Sequence, residues 1–267
     1  MYGAIAGDII GSIYEFNNIK TTAFKLFDDR CSYTDDSILT VAIADWLMND
    51  GTFSANEAAN YLRRYAENFH CPIGGYGRGF MTWVKGKKNI PNNSYGNGAA
   101  MRVSAAGWVS NTVEETLEVA KRSAEITHSH PEGMKGAQAT ATAIFLARSG
   151  RTKDEIRNNI EEMFGYDLNR TCDDIRPHYR FDPSCQGTVP EAIIAFLESK
   201  NFEDAIRLGV SLGGDTDTLC SITGGIAEAY YGEVPSEILI EVKKRLNCKL
   251  IKVEDSFYRR FVRRKRT

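Results

Sequence analysis

Gly213-Gly214-Asp215-Thr216-Asp217-Thr218 opens the last long apolar segment of the chain, and its reading decides the fold. Two carboxylates and two hydroxyls stand side by side, directly behind a flexible glycine pair. Residues 215–231 are predicted helical, with Gly232 as the stop. On an ideal helix Asp215 and Asp217 point about 200° apart. Both can face one site only from an irregular first turn, which two preceding glycines permit. Far upstream, Thr34-Asp35-Asp36-Ser37 has the same make-up. Thr34 suits an N-cap, and the two aspartates suit a first turn, where the helix dipole favours anions. Residues 38–48 are apolar almost all round, which predicts a central, buried helix stopped by Gly51.

Helix signals run through the remainder. Residues 3–14 carry Gly3, Gly7 and Gly11 at four-residue spacing, a smooth stripe that admits another helix at close range. Packing within the chain is expected, and with it a monomer. Ser54 with Glu57, Thr112 with Glu115 and Thr152 with Glu155 have capping-box spacing. An alanine-rich segment at 131–149 ends at Gly150. Pro190 suits the first position of a helix over 191–200, and Asn201 suits the cap of the next. Segments 236–246 and 253–263 complete the set. No alternating strand pattern occurs. Stretches 71–98 and 169–188 lack periodicity, and loops of that length inside a compact domain are usually functional or poorly ordered. The expectation is one all-α domain over 1–267, ending in the basic run Arg259-Arg260-Phe261-Val262-Arg263-Arg264-Lys265-Arg266. That run reads as a solvated last turn and tail, with a phosphate-binding arm as the other reading.

A chain of 267 residues with 42% hydrophobic content can bury a substantial core. Its formal charge of −2 gives no global field for nucleic acid or a membrane surface. Six cysteines without a C-x-x-C pair fit reduced, mostly buried thiols. Met1-Tyr2-Gly3-Ala4-Ile5-Ala6-Gly7-Asp8-Ile9-Ile10 has no basic start, and Asp8 breaks its apolar run. Neither a signal peptide nor a membrane span is expected, and the expected location is cytoplasmic. Trp46, Trp83 and Trp108 read as core, with Trp83 also placed to line a cleft.

Asp, Thr and Ser offer only oxygen, the preference of Mg²⁺, Mn²⁺ or Ca²⁺, whereas zinc would want His or Cys. Taken alone, Thr34-Asp35-Asp36 reads first as an ordinary cap, and a turn with a helix start is a common alternative for the Gly213-Gly214 stretch. Burial separates the readings, because each acidic pair leads straight into an apolar helix. Four carboxylates beside a core need a compensating cation. Ser94-Tyr95-Gly96-Asn97-Gly98 leads into a helix predicted near Ala99, whose free backbone N–H groups could cradle a diphosphate. A plain Asn-Gly turn is the alternative.

The segments Gly3-Ala4-Ile5-Ala6-Gly7-Asp8-Ile9-Ile10-Gly11-Ser12-Ile13-Tyr14-Glu15-Phe16, Thr34-Asp35-Asp36-Ser37, Ser94-Tyr95-Gly96-Asn97-Gly98-Ala99-Ala100-Met101-Arg102, Thr127-His128 and Leu212-Gly213-Gly214-Asp215-Thr216-Asp217-Thr218 follow one another in a known order. Over nearly its whole length the chain resembles the ADP-ribosylglycohydrolases, which include dinitrogenase reductase-activating glycohydrolases and ADP-ribosylserine hydrolases. The resemblance implies an all-α, single-domain orthogonal helical bundle with two Mg²⁺ (or Mn²⁺) ions in a central dinuclear cleft. The implied reaction is hydrolysis at C1″ of the distal ribose of ADP-ribose. Thr34, Asp35 and Asp36 are implied as ligands of one metal, Asp215 and Thr218 of the other, with Asp217 bridging. Glu15 is implied as the catalytic acidic residue beside the second metal. Ser94, Tyr95, Gly96, Asn97 and Gly98 match the phosphate loop, His128 a residue that contacts ADP-ribose, and Gly74-Gly75-Tyr76-Gly77-Arg78-Gly79 is similar to a glycine-rich substrate-side loop. Within 169–188, where adenosine contacts would fall, no motif matches. The implied partners are ADP-ribose and an ADP-ribosylated protein or small conjugate, without nucleic acid or membrane. An arginine N-glycosidic bond comes first, with a serine O-glycosidic bond or an O-acetyl-ADP-ribose ester as alternatives. Two other classes compete: a catalytically inactive ADP-ribose-binding module of the same fold, and a two-metal phosphohydrolase that would release phosphate or AMP.

Overall fold

The computed structural model describes residues 1–86 and 90–263. Its helices are, in chain order, α1 (Tyr2–Gly11), α2 (Asp35–Asn49), α3 (Ala55–Asn68), α4 (Arg78–Lys85), α5 (Gly98–Met101), α6 (Ser104–Val109), α7 (Val113–Ala124) and α8 (Pro131–Arg148). They continue as α9 (Lys153–Phe164), α10 (Cys172–Ile175), α11 (Cys185–Glu198), α12 (Phe202–Leu212), α13 (Thr216–Tyr231), α14 (Ser236–Arg245) and α15 (Cys248–Phe257). Among the described residues the only β pairing is two isolated bridges, Asn93 with His128 and Gly96 with Ser184. The all-α expectation holds.

Apolar and small residues on every face make α13 a central helix: residues 216–229 are all buried. Helices α1, α8, α11 and α12 pack around it. The closest approach is to α1, through the glycine stripe. A β-carbon on Gly3 would lie 2.2 Å from the Gly224 carbonyl oxygen, one on Gly7 1.8 Å from that of Cys220, and one on Gly11 2.3 Å from that of Thr216. No side chain fits at those distances, so glycine lets the two backbones touch. The stripe is used within the chain, as expected. Both ends of the pair are pinned. The Thr216 hydroxyl donates to the Gly11 carbonyl (2.9 Å), and the Gly3 N–H, an orphan donor at the start of α1, donates to the Glu228 carboxylate (2.8 Å).

Several boundaries differ from expectation for physical reasons. α1 stops at Gly11 rather than 14, where the Ser12 hydroxyl takes the Ile9 carbonyl (2.9 Å) and the chain turns. Pro190 lies inside α11 instead of opening a helix. The true cap is Ser184, whose side chain accepts from Gly187 N. Pro190 has no N–H for the Gln186 carbonyl, and Gln186 is exposed, where water can serve that oxygen. α15 begins at Cys248, capped by Asn247, well before the expected 253. Of the three capping boxes only Thr152 with Glu155 closes. Ser54 makes no side-chain cap, and the Glu115 carboxylate takes the Asn111 N–H (2.6 Å) rather than that of Thr112. The long irregular stretches contain α4 and α10, and the second ends inside α11.

No helix among the described residues is long and apolar enough to cross a membrane. Five cysteines are buried and free, and Cys248 is exposed and free. Of the basic run, Arg264-Lys265-Arg266 lies outside the described residues.

Gly7→Ala should destabilise the protein by about 3 kcal/mol or more, since overpacking against backbone cannot relax by a rotamer change. Gly51→Ala, with nothing within 4 Å of the new methyl group, is the control and should stay within about 0.5 kcal/mol. Urea unfolding of both variants measures this; equal midpoints would refute the close-contact account.

Candidate active site

Two helix N-termini deliver carboxylates to one cavity. At α2, Thr34 is the cap, and its hydroxyl oxygen accepts from Asp36 N (3.1 Å). At α13, Asp215 occupies the cap position with φ −81° and ψ 77°, outside helical geometry. That irregular residue brings Asp215 and Asp217 to the same side, as the Gly-Gly pair suggested. Gly213 and Gly214 have φ of +72° and +75°, a left-handed backbone that favours glycine. The turn is held from outside. Asn18 accepts from Gly214 N (2.8 Å) and donates to Gly214 O (3.0 Å), while Lys20 Nζ donates to the carbonyls of Leu212 and Tyr179. Nothing in the sequence marks Asn18 or Lys20, which come from the irregular loop after α1.

Glu15 arrives on the turn that follows α1. Ligand oxygens of Glu15, Asp215 and Asp217 all lie within 4.8 Å of one another. Asp35 and Asp36 line the same cavity without belonging to that tight group. Behind them sits Asp8, fully buried. Its carboxylate accepts from Thr34 N (3.0 Å), Thr34 Oγ1 (2.8 Å), Ser37 N (3.1 Å) and the Ser37 hydroxyl. The Thr34 oxygen thus gives its proton to Asp8 and one lone pair to Asp36 N–H, which leaves a second lone pair free. The one legible signal for Asp8 was a charge interrupting an apolar run.

Burial lifts the Asp35 carboxyl to about 8, with repulsion from Asp8, Asp215 and Glu15 adding to it. Burial, then Asp215 and Asp8, lift Glu15 to about 7. Asp36 and Asp217 are driven well above the usual carboxylate range, by burial first; Asp8 and Asp35 add to it at Asp36, and Asp215 and Asp36 at Asp217. The two acidic clusters therefore feel each other across the cavity. Among the described residues no lysine, arginine or histidine forms an ion pair with any of these carboxylates, and Asp36 Oδ2 is buried without a hydrogen-bond partner. Oxygen-only donors, mutual repulsion and an orphaned carboxylate oxygen fit hard divalent cations.

The cavity measures about 320 Å³. It is lined as well by Gly74, Gly75, Gly77, Gly79 and Phe80, by Asn92, Ser94, Gly96, Asn97 and Gly98, and by Arg102, Thr127 and His128. Tyr95 is not a lining residue. It is 53% exposed, with its ring edge-on to His130 at 5.5 Å between centroids. The Asn97 amide is already engaged, donating to Asp215 Oδ2 (2.8 Å) and Thr188 Oγ1 (3.0 Å). Trp83 does not line the cleft; it is buried under the Arg63 guanidinium (3.9 Å), and Phe80, stacked on it, takes that place. From 169–188 only Pro183 reaches the lining.

A sequence profile described as ADP-ribosylglycohydrolase matches residues 1–266. The chain belongs to the ADP-ribosylglycohydrolase family. Similar proteins include the ADP-ribosylhydrolase ARH3 of Mus musculus, 26% identical over 86% of this chain and 82% of that protein, and that of Homo sapiens, 26% identical over 86% and 84%. The ADP-ribosylarginine hydrolase Tri1 of Pseudomonas putida (strain GB-1) is 24% identical over 87% of this chain and 69% of its own. A solved ADP-ribosylglycohydrolase-related protein complex has the same fold, with a TM-score of 0.72 at 23% identity, covering 97% of this chain and 95% of that one. ADP-ribosylglycohydrolases are metal-dependent hydrolases of ADP-ribosylated substrates, and this one carries an acidic cluster able to hold a metal.

Carboxyls with raised folded values hold their protons more tightly folded than unfolded. Their contribution to stability is complete below the ordinary 3.8 to 4.5 and is lost as pH rises through about 7 for Glu15 and about 8 for Asp35. Metal-free protein should therefore melt at falling temperature as pH rises across that window, and added Mg²⁺ should flatten the slope. Thermal scans in chelator and in Mg²⁺ test this; a slope indifferent to Mg²⁺ would count against the cluster as its site.

Proposed function

We propose that this ADP-ribosylglycohydrolase is a two-metal, Mg²⁺-dependent enzyme, with Mn²⁺ able to substitute, that releases ADP-ribose from ADP-ribosylated protein side chains or small conjugates. The observation that carries the reading is the convergence of Glu15, Asp35, Asp36, Asp215 and Asp217 on a glycine-lined cavity, with no ion pair to any of them among the described residues. Thr34, Asp35 and Asp36 would hold one cation, Asp215 and Thr218 the other, with Asp217 shared. The free lone pair on Thr34 supports its place in that set. When bound, the cations would supply coordination of ribose hydroxyls and stabilisation of charge at the scissile centre.

The chain's own residues do the rest. Glu15 orients water and takes its proton as the water oxygen bonds to C1″. The C1″–N bond to the guanidine breaks, and the leaving nitrogen recovers a proton. Ser94, Gly96 and Gly98 line the cavity where the diphosphate would lie, with Gly98 N–H as the loop's donor. The N–H groups of Ser94 and Gly96 go instead to the Asn92 carbonyl (2.8 Å) and the Ser94 hydroxyl (3.1 Å), and Asn97 steadies Asp215. The small Gly74-Gly75 turn passes over Glu15, with a β-carbon on Gly74 falling 3.5 Å from Glu15 Oε2. That keeps room for the modified side chain. An arginine linkage is supported by the relative named for it in P. putida. The glycine stripe used within the chain is in keeping with a monomer, and five buried free thiols with the cytoplasm. The cavity draws on residues from Glu15 to Thr218, in keeping with one domain.

Mass-spectrometric hydrolysis assays with Mg²⁺ test the proposal on arginine-linked and serine-linked ADP-ribosyl peptides and on O-acetyl-ADP-ribose. Free ADP-ribose from the arginine peptide is expected, and faster release from another substrate would reassign the bond. No release from any, with ADP-ribose still binding, would favour a binding module, and phosphate or AMP as product a phosphohydrolase. Asp217→Ala should abolish both turnover and Mg²⁺-induced thermal stabilisation. Glu15→Ala should lower kcat by roughly 10²–10⁴-fold while ADP-ribose still binds; undiminished turnover would remove Glu15 from the chemistry.

A further inference from the structure

Arg102 is 1% exposed, lines the cavity, and has no carboxylate partner among the described residues. Its Nη2 donates to the Ser123 carbonyl (3.1 Å) and to Thr127 Oγ1 (2.5 Å). Thr127 Oγ1 in turn lies 2.8 Å from His128 Nδ1. A count of protons gives that last bond its direction. The Thr127 hydroxyl has one proton and two possible acceptors, His128 Nδ1 and the Ala124 carbonyl at 3.3 Å. The Ala124 carbonyl already accepts from Thr127 N (2.9 Å) and His128 N (2.8 Å), which fills both of its lone pairs. The guanidinium at the oxygen also polarises the hydroxyl and makes it a better donor. The proton therefore goes to Nδ1.

His128 itself stays neutral, because burial and then the Arg102 charge hold the imidazole well below its ordinary value. A neutral ring that accepts at Nδ1 carries its hydrogen on Nε2. That Nε2 makes no hydrogen bond among the described residues. It lies 3.3 Å from where a β-carbon on Gly98 would stand and 3.7 Å from the corresponding point on Gly96, both of which line the cavity.

We propose that Arg102 is a positioning residue that acts through Thr127 to fix His128 as the Nε2–H tautomer, a single neutral donor aimed at a phosphate oxygen of a nucleoside diphosphate seated on the Gly96 and Gly98 turn. The opposite tautomer would turn a lone pair toward that anion and repel it. The ligand's identity rests on the function proposed above, whereas the tautomer is a property of the free protein.

Long-range ¹⁵N–¹H correlation spectra of the ligand-free protein read the tautomer, and calorimetric titration with ADP-ribose in Mg²⁺ reads the consequence. Wild type and Thr127→Ser should show a protonated Nε2 and bare Nδ1, because serine keeps the hydroxyl. Thr127→Val and Arg102→Gln should show a tautomer mixture, and Thr127→Val should bind ADP-ribose about fivefold more weakly, the loss of one ordinary hydrogen bond. A wild-type spectrum with Nδ1 protonated would overturn the proposal even if no variant folded. So would a pure Nε2–H tautomer persisting in folded Thr127→Val. Failure of wild type to bind ADP-ribose would instead count against the assigned function, leaving the tautomer to be decided by its own spectrum.

Discussion

The contact on which this structure depends is the meeting of two backbones, α1 against α13, across three glycines. It does more than fill space. One face of α1 is glycine and lies on α13, whose first turn carries Asp215 and Asp217. Another carries Asp8, which grips the start of α2 and hence Thr34, Asp35 and Asp36. The turn that ends α1 presents Glu15. A single ten-residue helix therefore registers both acidic clusters and the Glu15 carboxylate. A side chain at Gly7 or Gly11 would push α13 away and take half of the site with it.

That arrangement concentrates negative charge where water cannot screen it. Unpaired buried charge is among the most costly features a fold can carry, and here the apolar packing of α1, α2 and α13 offsets it. The cavity sets its carboxylates beside glycines and amide or imidazole donors, with Arg102 as a charged residue in the lining. A ligand with its own negative charge would meet repulsion from these carboxylates wherever they are ionised and not neutralised. The cost of buried charge likewise explains the neutral histidine. An imidazolium beside buried Arg102 would add a second buried cation without a counter-charge.

Much of this was legible in the chain, and what was legible was local. Thr34, Thr152 and Asn201 announce helix starts because a cap is a bond between near neighbours. The acidic pairs could be read as ligands because each leads into an apolar helix. The parts that escaped are tertiary. Pro190 carries the sign of a helix start, yet Ser184 begins that helix six residues earlier, and only the exposure of Gln186 makes this tolerable. Asn18 and Lys20 hold the Gly-Gly turn from nearly 200 residues away. Tyr95 and Asn97 sat in a motif that suggested substrate contact for every member, whereas one ring faces solvent and one amide faces Asp215. Arg102 closed a matching segment without a role of its own, since only the folded chain shows it to be buried.

The α1–α13 pair also sets an order of assembly. Its pinning hydrogen bond joins residues 205 positions apart, so no part of the contact can exist before the chain has been made past Thr216. An isolated segment of this length with three glycines has little tendency to hold a helix by itself. Until α13 has been made, the glycine stripe of α1 has no partner helix to lie on. The cavity is thus completed only when segments about 200 positions apart in the chain have met.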